Sequence, residues 1–283
     1  MGCSSRRKPD WLKIKLPKGQ LSVEVLNVVR GHNLHTICTS GMCPNQGECW
    51  GCGTATFMIC GDVCTRGCRF CNVKTGRPAP LDTGEPEHIA ESVRLLKLKH
   101  VVLTSVDRDD LDDLGAGHWV KVIEAVKREN EGVTMEVLIP DFQGRRELIR
   151  QVIEACPEVI SHNLETVRRL TPSIRSRATY DMSLEVVRQV AESGVISKSG
   201  IMLGLGETRE EILQTMDDLR SVGCRVMTIG QYLQPTAANV EVKEYVTPQV
   251  FDEYKRIGLE KGFMHVESGP LVRSSYHAER HIK

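Results

Sequence analysis

Three cysteines with close spacing, Cys64, Cys68 and Cys71, lie in the stretch C-G-D-V-C-T-R-G-C-R-F-C-N. Three residues separate the first two cysteines, and two residues separate the last two. Thiolates at this spacing can cap three corners of a four-iron cube, whereas iron–sulfur clusters are usually held by four thiolates. The spacing therefore predicts a cluster with one open iron, and open metal positions are typical of sites that carry out chemistry.

A second cysteine group comes earlier in the chain, at Cys38, Cys43 and Cys49, with four and then five residues between its members. Turn-forming residues such as Pro44 and Gly47 lie among them, which predicts a loop that wraps its thiolates inward. This group also falls one thiolate short of a complete cluster. The chain has 11 cysteines, most of them between residues 38 and 71, and without a visible secretory signal such crowding indicates metal binding rather than disulfides.

A zinc site is the alternative that the cysteines leave open. Cys49 and Cys52 form one C-x2-C pair, and Cys68 and Cys71 form another after fifteen residues, which fits a zinc template. The template leaves Cys38, Cys43 and Cys64 without a role. It would describe a zinc-ribbon binding module rather than an enzyme.

Composition limits the partners and the location of the chain. The 283 residues are 40% hydrophobic, enough for one large α/β domain or two smaller ones. Because 37 basic residues balance 37 acidic ones, neither nucleic acid nor an anionic membrane is predicted as a partner. No apolar run reaches the roughly 18 residues of a membrane span, and no signal peptide is visible, so a cytoplasmic location is predicted.

Short apolar runs alternate with amphipathic stretches from residue 54 onward, and this alternation predicts a parallel sheet of right-handed βαβ units. Because six units are too few for an eight-stranded barrel, we expect an α/β fold with a partial (β/α)6 barrel, its active site at the carboxyl ends of the strands. The predicted strands are 54–60, 101–105, 134–139, 159–163, 197–203, 225–233 and 263–267. The predicted helices are 86–98, 117–129, 143–155, 181–193, 208–221 and 248–260.

Two weaker motifs also have two interpretations each. The acidic run 107–113 could form a divalent-metal loop, but a solvated acidic helix start is favoured because the run lacks the glycine and glutamate of a calcium loop. The turn 204–206 follows a strand and opens a helix, although Arg209 stands where a third dinucleotide-fold glycine belongs. A nucleotide-like ligand on that turn is left open.

Taken together, five segments of the chain resemble the lipoyl synthase family of radical S-adenosylmethionine (SAM) enzymes, and the resemblance covers nearly the whole chain. Cys52 and Cys60 depart from the cysteine pattern of that family. The segments are R-K-P-D-W-L-K (7–13), C-x4-C-x5-C followed by Trp50 (38–50), G-T-A-T-F-M-I (53–59), C-T-R-G-C-R-F-C (64–71) and R-S-S-Y-H-A (273–278).

The resemblance implies two 4Fe–4S clusters with separate tasks. One cluster would bind SAM through its open iron and generate a 5′-deoxyadenosyl radical, and its implied ligands, also catalytic, are Cys64, Cys68 and Cys71. The other, auxiliary cluster would be consumed as the sulfur donor, and its implied ligands are Cys38, Cys43, Cys49 and Ser275, the last also catalytic. The implied reaction inserts two sulfur atoms at C6 and C8 of a protein-bound octanoyl-lysine to give the lipoyl cofactor.

The family also implies a domain division and partners. An N-terminal extension (1–52) would carry the auxiliary cluster loop, a radical SAM barrel (53–262) would follow, and a C-terminal extension (263–283) would close the auxiliary cluster. The implied partners are an octanoylated lipoyl carrier domain or glycine-cleavage H protein, a ferredoxin- or flavodoxin-type reductant, and an iron–sulfur carrier. Another radical SAM enzyme with an auxiliary cluster, a methylthiotransferase or a biotin synthase-like protein, is the alternative.

SAM contacts are predicted from positions at or near strand ends and from superfamily resemblance. Phe70 would meet the adenine through its backbone, and either Arg177 or Lys198 would bind the carboxylate of SAM. The full predicted set is Phe70, Thr104, Ser105, Asn163, Arg177, Lys198 and Tyr232.

Overall fold

An eight-stranded sheet forms the centre of the fold. The computed structural model describes residues 8–13, 34–46, 56–175 and 177–282 and the single positions 25, 27, 29, 31 and 49. In sheet order the strands are β1 (His35–Thr36), β2 (Thr56–Ile59), β5 (His100–Ser105), β6 (Thr134–Leu138), β7 (Val159–Ser161), β8 (Ile196–Leu203), β9 (Val226–Gln231) and β10 (His265–Gly269). β1 runs antiparallel to β2, and the other pairs of the sheet are parallel.

Helices connect the parallel strands, and two further short strands, β3 (Val63–Cys64) and β4 (Lys74–Thr75), pair in the loop after β2. This arrangement confirms the predicted α/β fold with a mostly parallel sheet. The α-helices of the described ranges are α1 (Ile37–Ser40), α2 (Glu85–Leu95), α3 (Ala116–Glu129), α4 (Arg146–Glu154), α5 (Thr171–Ile174), α6 (Tyr180–Glu192), α7 (Arg209–Ser221) and α8 (Pro248–Glu260).

The helix ends follow local signals in the sequence. Thr208 and Glu211 form a capping box at the start of α7, in which each side chain accepts a hydrogen bond from the other residue's backbone. The helix predicted from residue 143 begins only at Arg146, because the Asp141 side chain accepts a hydrogen bond from Gln143 and stabilises a separate short turn. Residues 54 and 55 of the first predicted strand lie outside the described ranges.

The core lies between the sheet and the helices that cover it. Apolar residues of the helices are buried, as Ile89 of α2 and Val126 of α3 illustrate with no exposed surface. α2 and α3 pack against each other, and Trp119 of α3 is buried completely. Burying an aromatic side chain of this size makes a large hydrophobic contribution to stability. Within the described ranges, no helix has the length and apolar character needed to cross a membrane.

Candidate active site

The strand-end loop (residues 60–72) follows β2 at the carboxyl edge of the sheet. The Cys64 sulfur accepts hydrogen bonds from the backbone N–H groups of Arg66 (3.4 Å) and Asp107 (3.3 Å). Thr65 donates from its N–H (3.1 Å) and its hydroxyl (3.0 Å) to the Asp107 carbonyl. Because Asp107 comes two residues after β5, these bonds tie the loop to the end of the neighbouring strand.

Arg66 also fixes the strand-end loop, through charge-assisted hydrogen bonds. Its guanidinium makes two hydrogen bonds of 2.8 Å to Asp109, and bonds of 2.7 and 2.9 Å to Asp141 after β6. A third carboxylate, that of Asp107, lies 3.3 Å away. The Arg66 side chain is only 5% exposed, so these bidentate pairs are shielded from water and strong. One residue of the loop therefore joins the ends of two strands.

The other side of the strand-end loop contacts later parts of the chain. Arg69 donates its N–H to the carbonyl of Ile174 (2.9 Å), and its own carbonyl accepts the N–H of Val240 (3.0 Å). The Asn239 amide donates to the carbonyls of Arg69 (3.2 Å) and Cys71 (2.9 Å). Hydrogen bonds to Ile174 and to residues 239–240 thus fix the backbone of the strand-end loop around its cysteines without any ligand.

Burial dominates the pKa values of the three thiols. Burial, with the Asp107 carboxylate beside it, raises the pKa of Cys64 to about 11. Burial raises the pKa of Cys68 to about 12 against the opposing charge of Arg175, and it also raises the pKa of Cys71. Thiols of this kind stay protonated at neutral pH, which argues against a nucleophilic role. They become thiolates when a metal displaces the proton.

The donors around the sulfur atoms suit cluster ligands. Besides the two N–H groups at Cys64, the Val73 N–H points at the Cys71 sulfur at 3.4 Å, and hydrogen bonds to sulfur are among the features that tune iron–sulfur clusters. A mononuclear zinc site would need Cys49, Cys68 and Cys71 together. Within the described part of the chain, which lacks Cys52 of the zinc template, no group of three or more His, Cys, Asp or Glu residues is placed to hold one metal ion.

Cys60 has a packing role in the structure. Its N–H donates to the Glu85 carboxylate (2.8 Å), its carbonyl accepts from Arg108 (3.2 Å), and Glu85 also pairs with His118 at 2.6 Å. Burial, followed by the Glu85 charge, raises the pKa of the Cys60 thiol. A thiol locked between two helices in this way is an inert core group. Cys52 lies outside the described residues.

The N-terminal loop (residues 38–49) carries the other cysteine group. Cys38 lies in α1 and is buried, whereas Cys43 and Cys49 are half-buried. The Thr36 hydroxyl caps α1 by accepting the Thr39 N–H at 3.3 Å. The Cys43 N–H donates to the Cys38 carbonyl at 3.0 Å and tightens the turn. Between residues 38 and 46 the chain therefore forms turns, as the turn-forming residues among the cysteines predict.

Two asparagine side chains join this loop to distant segments. Asn72, next to the strand-end cysteines, donates to the Ser40 carbonyl at 2.9 Å. Asn45 is buried and donates to the Leu271 carbonyl at 2.6 Å across 226 positions of sequence. The first bond brings the two cysteine loops side by side, and the second brings the tail (residues 270–282) to the N-terminal loop.

The tail places Ser275 in this neighbourhood. Ser275 is half-buried in a turn that begins at Arg273. Burial lowers the pKa of Arg273, and the nearby Cys43 counteracts this change. The hydroxyl of Ser274 accepts a hydrogen bond from Asn163 after β7 at 2.6 Å. The tail residues just before Ser275 thus contact a strand end and lie near the N-terminal loop.

Most of the predicted SAM contacts lie along the carboxyl edge of the sheet. The Thr104 hydroxyl donates to the Leu138 carbonyl (3.4 Å), and the Ser105 hydroxyl is buried with no hydrogen-bond partner among the described residues. Phe70 packs its ring against an apolar cluster next to the loop. Arg177 is 64% exposed and lies 3.5 Å from Asp109, so its guanidinium can still turn toward a ligand.

Lys198 and Tyr232 have other partners in the structure. The Lys198 ammonium is fully buried and lies 2.7 Å from both carboxylate oxygens of Glu136, so its charge is already neutralised. Tyr232 is buried and donates its hydroxyl to the Val240 carbonyl at 2.7 Å. Position near a strand end suggested both residues for the SAM site, but Lys198 lies near the start of β8, away from its carboxyl end, and pairs with Glu136. We therefore remove Lys198 from the set of candidates for the SAM carboxylate.

Three charged residues near the thiols escaped the sequence analysis. Asp107 borders Cys64, while Glu165 and Arg175 interact electrostatically with Cys68. Glu165 has a φ of 68°, unusual for a residue with a side chain, and burial raises its pKa. A signal for Asp107 was available, since a carboxylate two residues after a parallel strand lies at the active edge. Glu165 carried no signal because its backbone conformation is not visible in the sequence.

Residues of the acidic run 107–113 have two different structural roles. Asp113 caps the start of α3 by accepting the N–H groups of Gly115 and Gly117, both at 3.0 Å. This part fits the predicted acidic helix start. The predicted solvation is wrong for Asp109, however, because its side chain is 8% exposed and paired with Arg66.

The turn 204–206 is closed to a nucleotide-like ligand. The Glu207 carboxylate accepts the N–H groups of Gly204 (2.5 Å) and Leu205 (2.9 Å). Those donors would otherwise cradle a phosphate. An internal carboxylate thus takes the place of the anion that the glycine pattern suggested.

Known proteins with similar sequences indicate the family of this chain. A family model described as the radical SAM superfamily matches residues 58–219. The lipoyl synthase of Treponema denticola is 72% identical over 282 residues, which cover 100% of this chain and 97% of the relative. The lipoyl synthase of Bacteroides fragilis is 63% identical over 284 residues, covering 100% of this chain and 99% of the relative.

This chain belongs to the lipoyl synthase family of the radical SAM superfamily. Lipoyl synthases are sulfur-inserting enzymes that use SAM and 4Fe–4S clusters, typically two, and they act on lipoyl carrier substrates. The predicted function and cofactors are therefore confirmed. Full-length identity at this level supports neither the methylthiotransferase nor the biotin synthase-like alternative.

Solved structures of other radical SAM enzymes share the lipoyl synthase fold. Methylornithine synthase aligns with a TM-score of 0.57 at 14% identity, covering 86% of this chain and 70% of that protein. Coproporphyrinogen III oxidase from Escherichia coli aligns with a TM-score of 0.54 at 10% identity, covering 79% and 57% of the two chains. At such low identity these likenesses establish the fold alone.

Proposed function

We propose that the two cysteine loops of this lipoyl synthase divide its reaction between them. The strand-end loop would hold the cluster that supplies an electron to SAM, through its three cysteines Cys64, Cys68 and Cys71. The N-terminal loop would hold the auxiliary cluster that donates sulfur, through Cys38, Cys43, Cys49 and Ser275. The observation that carries this assignment is the junction of the N-terminal loop and the tail, where Asn45 binds the Leu271 carbonyl.

The chain's own residues support the first assignment. N–H donors at Cys64 and Cys71 favour thiolates over thiols once a metal has displaced the proton, and Arg66 fixes the loop at the edge of the sheet. SAM carries an ammonium, a carboxylate and a sulfonium group. Asp107 and Glu165 are carboxylates suited to its positive groups, and Arg177 or Arg175 is suited to its carboxylate. Thr104, Ser105, Asn163, Tyr232 and the Phe70 backbone remain further candidates for SAM contacts.

The second assignment follows from the position of the two loops. An unactivated C–H bond has no usable acidity, so a side-chain base cannot open it, and the radical chemistry has to come from a cofactor. The carbon that loses its hydrogen must then lie next to the sulfur donor. The hydrogen bond between Asn72 and Ser40 brings the two loops together, which supports a single substrate position between them.

The substrate we propose is an octanoyl-lysine on a lipoyl carrier domain or on the glycine-cleavage H protein, with sulfur inserted at C6 and C8. A ferredoxin- or flavodoxin-type reductant and an iron–sulfur carrier would supply electrons and rebuild the auxiliary cluster. We also propose a cytoplasmic location, where thiols stay reduced. The division into 1–52, 53–262 and 263–283 remains our proposal for the domains, and each extension contributes an edge strand, β1 or β10.

An anaerobic assay tests the proposal directly. The reconstituted enzyme, SAM, a strong chemical reductant and an octanoyl-lysyl peptide are combined, and the peptide is analysed by mass spectrometry. We expect a dithiolane product and about eight irons per chain, as two four-iron clusters require. About four irons, or an unmodified peptide with fully loaded enzyme that cleaves SAM, would contradict the proposed division.

A further inference from the structure

The tail of the chain is fixed to the barrel at three separate places, and Ser275 lies between them. The first is the backbone contact of Val272 with Gly230 on β9. A Cβ atom added at Gly230 would lie 2.2 Å from the Val272 carbonyl oxygen and 3.1 Å from its carbon. Because both partners are backbone, neither can rotate away, and only glycine leaves room for the tail here.

The second place lies immediately before Ser275. Asn163 donates to the Ser274 hydroxyl at 2.6 Å, and Arg273 donates to the carbonyl of Gln231 at 3.3 Å. These bonds attach consecutive tail residues to the carboxyl ends of β7 and β9. The position of the Ser275 backbone is therefore restricted on its N-terminal side.

The third place is a buried polar cluster inside the barrel. Glu136, Lys198 and His281 are all 0% exposed. The Lys198 ammonium has three N–H donors: two face the Glu136 carboxylate at 2.7 Å, and the His281 Nδ1 lies 3.2 Å from the same nitrogen. A buried ion pair is stable only when its remaining donors are satisfied. The imidazole of the tail meets that need when its proton is on Nε2, because Nδ1 can then accept the third hydrogen bond.

The three attachments of the tail have a role in the reaction, on the assumption that Ser275 ligates the auxiliary cluster as proposed above. A serine hydroxyl is a far weaker cluster ligand than a cysteine thiolate. A weak ligand binds well only when its position is fixed in advance, because then little conformational entropy is lost on binding. We propose that Gly230 and His281 are positioning residues that hold the tail as a strap and keep Ser275 beside the N-terminal loop.

Gly230→Ala tests the strap, and Gly269→Ala is its matched control. Gly269 pairs with Gly230 in register on β10, but a Cβ there would meet only a side-chain methyl of Val272 at 3.4 Å. After anaerobic reconstitution we expect Gly230→Ala to hold about four irons instead of about eight and still to cleave SAM. Gly269→Ala should keep both clusters. Wild-type iron content and an unchanged Mössbauer spectrum of Gly230→Ala would overturn the strap.

His281 provides a second test that does not depend on the fold of the glycine variant. His281→Ala removes the acceptor for Lys198, whereas His281→Asn keeps an oxygen near the position of Nδ1. Arg280→Ala changes an exposed neighbour in the same tail as a control. We expect auxiliary-cluster occupancy to fall several-fold in His281→Ala, to recover in His281→Asn, and to stay unchanged in Arg280→Ala. Equal occupancy in all three variants would contradict the proposal.

Failure of the strap can be told apart from failure of the proposed function. If Ser275→Ala and Cys38→Ala lose the auxiliary cluster while both strap variants keep it, only the strap is wrong. If Ser275→Ala itself keeps a wild-type auxiliary cluster, the ligand assignment is wrong instead. The Mössbauer spectrum distinguishes these cases because it reports each cluster's ligation independently of turnover.

Discussion

The two cysteine loops differ in how much of the chain is needed to build each one. The strand-end loop is fixed mainly by residues of the barrel, through Arg66 and through the backbone donors at Cys64. The N-terminal loop gains its closure from the tail, through Asn45 and Leu271. On the proposed assignment of the two loops, the site for SAM would be built by the barrel, whereas the site for the sulfur donor would be assembled from the two ends of the chain.

Removing one ligand from each loop should separate the two halves of the reaction most strongly. Cys64→Ala should abolish SAM cleavage and hence product, because no radical forms without that cluster. Cys38→Ala should still cleave SAM but form no lipoyl product. Chromatography of 5′-deoxyadenosine and mass spectrometry of the peptide measure the two outcomes. Normal product from Cys38→Ala would show that the loops do not divide the work.

Loss of the buried arginine should have the next largest effect, and on stability. Arg66→Met leaves the buried Asp141 without its cation, while Asp109 keeps only the exposed Arg177, and breaking a buried pair costs about 3–5 kcal/mol. Lys74→Met is the matched control, because Lys74 pairs with Asp62 on the same part of the chain but is 75% exposed. That exposed pair should contribute no more than about 1 kcal/mol. Denaturant unfolding measures both values, and equal losses would show that Arg66 has no special role.

The smallest effect should come from the link between the N-terminal loop and the tail. Asn45→Ala removes one buried hydrogen bond, which is worth about 1 kcal/mol. Because closure by the tail is needed only for the auxiliary site, we expect a lower auxiliary-cluster content with unchanged SAM cleavage. Iron analysis and the SAM cleavage assay measure this split. A parallel loss of both would mean that the tail also supports the barrel.

The sequence predicted those features that depend on local patterns. The alternation of apolar runs and amphipathic stretches predicted the parallel sheet. The position of Cys64 just after the first predicted strand matches its position after β2 in the structure. The sequence could not show that Lys198 pairs with Glu136, 62 residues away, so its strand-end position was misleading. It also could not show that Asp109 is buried, because an acidic run at a helix start is usually solvated. Long-range pairing of charges is decided only when the strands come together.

The link across 226 positions also determines the order in which the enzyme can be completed. Chains emerge from the ribosome with the N-terminus first, and contacts between distant segments form late. The cysteines at 38–49 are therefore synthesised before those of the strand-end loop, yet their enclosure waits until the tail has emerged. With Ser275 as the proposed fourth ligand, the auxiliary cluster would be complete only after the tail has emerged.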